Sequence, residues 1–178
     1  LWNRNLVNLF ATPVKFMEWV VTLLLIGVFK AIVSFGFASL VAILLYQTNI
    51  YTLGIKLLPW AGLLIVFGWV FGLLVAGIIM RYGTKIQTLA WTAIHLVSPF
   101  IGVYYSIDTL PSWAQTVSRF VPASYVFEAM RSEIAGVAVP LNNLLLPFVL
   151  CVIYLAIALW ILTRSYLHIL KRGLISVE

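Results

Sequence analysis

The stretch LLPWAGLLIVFGWVFGLLVAGIIM, residues 57–80, runs for 24 residues without a charged side chain. As a helix rising ~1.5 Å per residue it is ~36 Å long, enough to cross a hydrocarbon core about 30 Å thick. Pro59 falls in the opening turn, where its missing N–H costs no helical hydrogen bond. Glycine recurs at Gly62, Gly68, Gly72 and Gly77. Gly68 and Gly72 form a small-xxx-small pair, the spacing that lets another helix approach closely, and are the expected helix-packing residues. This stretch reads as a transmembrane helix.

The rest of the chain has the same character. Of its 178 residues 63% are hydrophobic and 9% charged, and the mean hydropathy is +1.10. A soluble domain carries roughly a quarter of its residues as Asp, Glu, Lys or Arg, so this chain cannot cover a water-facing surface of its size. Three more segments are apolar enough to cross: 16–46, 86–105 and 144–167. The expected fold is therefore an all-α integral membrane protein with four transmembrane helices. The first segment is longer than a bilayer needs, and it carries Lys30 near its middle. At that depth a lysine must snorkel, face other helices or line a cavity. Pro99 is expected to kink the third segment or end its regular part near Ser98, and Pro147 falls in the first turn of the fourth.

The few polar features exclude several functions. Cys151 is the only cysteine and reads as a small buried hydrophobe. His95 and His168 are far apart, and no Cys/His cluster has metal-ligand spacing. The net charge of +6 lies mostly beside span ends, which topology explains, so no nucleic-acid partner is implied. Arg4, Lys15, Arg81, Lys85, Arg164, Lys171 and Arg172 flank the spans on one side; Lys56, Arg119 and Arg131 lie on the other, beside Asp108, Glu128 and Glu133. Basic residues concentrate in cytoplasmic loops, so the first group is expected inside. Four crossings then place both ends, including the C-terminus, in the cytoplasm. The chain opens at Leu1 within a polar, helix-like stretch, which suggests that an N-terminal portion precedes it.

Between the third and fourth segments lies PSWAQTVSRFVPASYVFEAMRSEIAG, residues 111–136. Pro111 is expected to open a short helix to about Phe120, and Val121-Pro122 to break it. A second helix is expected from Ala123 to Ile134, with Ser124 as a cap and Gly136 as a stop. Tyr125, Phe127, Met130 and Ile134 give it an apolar face, and the Glu128–Arg131 spacing allows a pair along the helix. Neither helix is long enough to cross, so residues 109–136 form an extracytoplasmic or re-entrant helix pair.

These residues carry a family resemblance. SPFIGVYYSIDTLPSWAQTVSRFVPASYVFEAMRSEIAG, residues 98–136, resembles the corresponding part of ABC-2 type transporter permeases, the membrane subunits of bacterial ABC exporters. The matching elements are Ser98-Pro99-Phe100 with Gly102, Leu110-Pro111-Ser112-Trp113, Val121-Pro122, and Glu128 with Arg131. LWNRNLVNLFATPVKFMEWV, residues 1–20, is similar to the cytoplasmic coupling segment that precedes the third span in that family. The chain departs from many relatives at Asn3 and Asn5, and at Tyr104-Tyr105-Ser106, where a Phe/Tyr-Pro pair is common.

The resemblance implies the C-terminal part of a six-span subunit in the bacterial inner membrane. Residues 1–14 become the coupling segment, with Trp2, Arg4, Leu6 and Leu9 against an ATPase. Tyr104, Tyr105, Pro111, Trp113, Pro122, Glu128 and Arg131 become the extracytoplasmic helix pair or exit path. The implied partners are cytoplasmic ABC ATPase subunits, a second permease copy or close homologue, and membrane lipids. ATP and Mg belong to the partner ATPase, and this chain carries no G-x-x-x-x-G-K-[ST] loop, catalytic residue or cofactor site of its own. A lipid, drug or glycan is the expected cargo. The alternatives are a channel or secondary transporter without ATP, or a lipid-modifying membrane enzyme built on Asp108, Glu128, Arg131 and Glu133.

Overall fold

The computed structural model describes residues 15–47, 54, 57–83 and 86–172. They form six α-helices, α1 (Phe16–Tyr46), α2 (Leu57–Tyr82), α3 (Gln87–Ile101), α4 (Ser112–Ser118), α5 (Pro122–Ile134) and α6 (Leu145–Arg172). Short 3-10 turns at Ile107–Thr109 and Leu141–Leu144 precede α4 and α6. Among the described residues, three stretches are long and apolar enough to cross a membrane: Phe16–Tyr46, Leu57–Tyr82 and Leu141–Leu170. The chain is a multi-pass helical membrane bundle.

The expectation of four transmembrane helices is corrected to three. The segment at 86–105 yields a helix of only 15 residues, ~22 Å long and short of the hydrocarbon core. It stops because Gly102 takes a left-handed conformation (φ 71°), from which the chain turns away before Tyr105. Pro99 sits inside the last turn without ending it, so the glycine, not the proline, sets the boundary. With the count at three, the parity argument for the chain ends falls.

Packing fixes the layout without parity. Gly77 of α2 meets Ile161 and Leu162 of α6, while Trp60, Leu63 and Phe67 share a buried cluster with Cys151. Positions rise together along the two helices, so α2 and α6 run parallel. Val20 of α1 packs with Leu73, Ala76 and Met80, and Gly27 lies against the Trp69 indole, so α1 runs antiparallel to both. The bundle thus has a Trp60 end and a Met80 end. Helix α1 starts and α6 finishes at the Met80 end, because α3 and the residues after it bring the chain back between the parallel helices.

The α2–α6 contact is the most extensive in the fold. Its close approach is at Gly77, where a Cβ would lie 3.2 Å from the Leu162 backbone nitrogen and Cα. Gly68 and Gly72, singled out by their spacing, have nothing within 4 Å of a built Cβ among the described residues, which leave that face of α2 open. Helix α1 is the least covered of the three long helices. Val20 and Ser39 are its buried residues, and its side chains from Met17 to Tyr46 are largely exposed.

Candidate functional site

Helices α4 and α5 form the expected pair, and the fold seats them in the bundle wall. Pro122 occupies the first turn of α5, and Ala123, Val126 and Ala129 pack into the cluster of Trp60, Leu63 and Phe67. The last of these lies ~15 Å along α2 from its start at Leu57, so the pair sits beside the first turns of a spanning helix. The buried face is made of small residues at every third position. The larger Tyr125, Phe127 and Met130 are only partly covered, and Ile134 is 75% exposed. Close approach to Trp60 and Phe67 requires small side chains, which a reading by hydrophobicity alone passes over.

Local hydrogen bonds fix the break between the two helices. The Ser124 hydroxyl donates to the carbonyls of Ser118 (2.8 Å) and Val121 (2.7 Å). Ser124 therefore ties the turn from inside the first helical turn, where the sequence reading made it a cap that accepts from a backbone N–H. The Tyr125 phenol donates to the Arg119 carbonyl at 3.0 Å, and Tyr154 of α6 donates to the Phe120 carbonyl at 2.8 Å. Burial pushes the Tyr125 phenol above its usual range, and the nearby Arg119 charge pulls it back less strongly. Tyr154→Phe, which removes a side-chain hydrogen bond from α6 to the pair, is expected to lower stability by about 1 kcal/mol, read by thermal unfolding in detergent.

Glu128 and Arg131 are brought together as the spacing allows, and they do more than pair. Arg131 Nη1 donates to Glu128 Oε1 at 2.7 Å. The same oxygen accepts from the Ile107 backbone N–H at 2.8 Å and from the Ser106 hydroxyl at 3.2 Å. Arg131 Nη2 donates to the carbonyls of Gly102 (2.9 Å) and Tyr105 (3.1 Å). Those two carbonyls are left over where α3 ends, and the guanidinium fork reaches both while holding the carboxylate. The pair therefore staples the 102–107 turn to α5. Gln115 adds a second tie, donating to the carbonyls of Asp108 (3.2 Å) and Leu110 (2.9 Å). Ser106, Ile107 and Gln115 were missed in the sequence, because backbone partners leave no residue-type signal.

Gly102 is the hinge of this arrangement. A Cβ there would lie 2.7 Å from Ile107 Cδ1 and 3.2 Å from the Tyr105 carbonyl oxygen, at a φ that L side chains rarely adopt. Gly102→Ala is expected to lower stability by about 2 kcal/mol, measured by thermal unfolding.

The other expected residues fall as follows. Tyr105 donates to the Pro99 carbonyl at 2.6 Å, whereas Tyr104 is 91% exposed. Pro111 caps α4 and its carbonyl accepts from the N–H groups of Ala114 and Gln115. Trp113 is mostly exposed, its ring edge-on to Phe100 at 6.0 Å. Trp2, Arg4, Leu6 and Leu9 lie outside the described residues.

At the Trp60 end a cleft of about 520 Å³ opens between the pair and the start of α6. Asp108, Arg119, Ser132, Asn142 and Asn143 bring polar groups to it from four elements, with Trp60 among its walls. Arg119 is exposed and makes no ion pair among the described residues, in contrast to Arg131. No group of three His, Cys, Asp or Glu suited to a metal ion occurs among the described residues. Comparisons with protein-family models, characterised proteins and solved structures give no match for this chain.

Proposed function

We propose that this chain is the permease subunit of an ATP-driven exporter of the ABC-2 type, working with separate cytoplasmic ATPase subunits and a second permease. The observation that carries the reading is the short helix pair stapled by Glu128 and Arg131 between spanning helices, beside a polar cleft at one end of the bundle. It supports a transport role because polar side chains from several elements converge on one end of an apolar bundle. The charge distribution supports an orientation. Among the described residues, Lys15, Arg81 and Arg164 gather toward the Met80 end with Glu18 as the one acid beside them, whereas Arg119 and Arg131 lie with Asp108, Glu128 and Glu133 toward the other. The Met80 end is then cytoplasmic, where residues 1–14 would meet the ATPase, and the cleft faces outward.

ATP and Mg would be held by that partner, and this chain would do no chemistry itself. Its membrane would be the bacterial inner membrane. The test is purification of the full-length protein from mild detergent with identification of co-purifying chains. A nucleotide-binding ATPase is expected, and substitution of Trp2, Arg4, Leu6 and Leu9 by alanine is expected to release it. Purification without any ATPase, under conditions that preserve comparable complexes, would contradict the reading.

A further inference from the structure

Lys30 lies in the uncovered helix α1, exposed and without an ion-pair partner among the described residues. Its depth follows from the packing. Gly27 lies against Trp69, near the middle of α2, and Lys30 is three residues, ~4.5 Å, further toward the Trp60 end. About 10 Å of hydrocarbon then separates it from the nearer interface, more than a lysine side chain spans. An uncompensated charge at that depth is strongly disfavoured. Spanning helices of a second copy would not relieve it, since their one acidic residue is Glu18, in the first turn of α1 at the Met80 end. Among the described residues the neighbouring polar group is likewise a donor without an acceptor: the buried Trp69 Nε1–H over Gly27. This level of the bundle offers donors and positive charge, and the described residues bring no matching acceptor to them.

The same half of the bundle holds the polar cleft with the unpaired Arg119. We propose that Lys30 is the intramembrane anion-binding residue of the export path, and that the cargo is an amphiphile whose headgroup carries a phosphate or carboxylate. Such a headgroup meets a counter-charge part-way through the hydrocarbon, in the half of the bundle whose end holds the cleft and its second cation. Its apolar tail stays against the exposed leucine, valine and phenylalanine side chains of α1. The inference rests on the exporter reading and narrows its cargo to an anionic amphiphile.

The test is native mass spectrometry of the purified full-length protein, titrated with phosphatidylglycerol and with phosphatidylcholine of the same acyl chains. The wild type is expected to retain phosphatidylglycerol preferentially. Lys30→Gln is expected to lose that preference, with roughly tenfold weaker retention, and Lys30→Arg to keep it. Equal retention of the two lipids by the wild type would overturn the proposal, as would an unchanged preference in Lys30→Gln. Release of a co-purifying membrane chain by Lys30→Gln, with lipid retention unchanged, would overturn it in favour of a partner carboxylate. The wild-type comparison stands even where Lys30→Gln does not fold. ATPase attachment is read on the same wild-type sample. Attachment without lipid preference overturns this inference alone, and absence of attachment overturns the exporter reading.

Discussion

Replacing Gly77 with leucine is expected to abolish the stable packing of α2 on α6, and with it the folded bundle. The side chain would have to occupy space held by the Leu162 backbone, and by Ile161 Cγ2 at 3.1 Å from a built Cβ. A side-chain neighbour can rotate aside, whereas a helix backbone can give way only if the two axes separate. Separation would lift Leu63 and Leu73 of α2 away from the α6 surface formed by Cys151, Ala158 and Leu162. Even Gly77→Ala should lower stability by about 2 kcal/mol, or about 5 °C in unfolding midpoint for a chain of this size. Gly68→Ala and Gly72→Ala supply the contrast. With nothing within 4 Å of either position, they should leave the midpoint of the isolated chain within about 1 °C. Thermal unfolding and size-exclusion elution in mild detergent read all four variants.

Glu128→Ala should give the second large effect. The ion pair is about one-third exposed on each side, so its direct attraction is screened and contributes modestly. The larger loss comes from the groups left behind. The Ile107 N–H and Ser106 hydroxyl lose their acceptor, and Arg131 keeps a charge facing two carbonyls with no carboxylate beside it. The expected cost is about 2–3 kcal/mol, read as a lower unfolding midpoint together with faster proteolysis at the 102–110 turn. Arg131→Lys should recover little of what Arg131→Ala loses. An ammonium cannot reproduce the fork that holds Glu128, Gly102 and Tyr105 together. If Arg131→Lys matches wild type, the staple is a surface pair and no more.

The long apolar helices were legible because their signal is composition over some twenty residues, a quantity that tertiary packing cannot override. The Glu128–Arg131 pair was legible because both partners sit on one helix at a spacing its periodicity enforces. The extent of α3 was not. Apolar residues continue past Gly102 to Tyr105, so hydropathy extends the helix, while the positive φ at Gly102 ends it. Which glycines matter was only half visible. Spacing marks Gly68 and Gly72 as suited to close approach, but the helix that uses a glycine in this fold meets Gly77. The convergence of Asp108, Arg119, Asn142 and Asn143 on one cleft was also hidden, since they come from three separate turns and helix ends. Only the parallel course of α2 and α6 brings them to the same end.

In the proposed orientation the polar helix pair and the basic Met80 end lie on opposite sides of the membrane, with the pair outside. Single cysteines placed in a Cys151→Ser background measure this directly. Ser112→Cys marks the exposed start of α4 and Tyr82→Cys the exposed end of α2. Intact cells expressing the full-length protein are treated with a membrane-impermeant maleimide, before and after permeabilisation. Ser112→Cys is expected to label in intact cells and Tyr82→Cys only after permeabilisation. Labelling of both from one side, or in the reverse order, would contradict the proposed orientation.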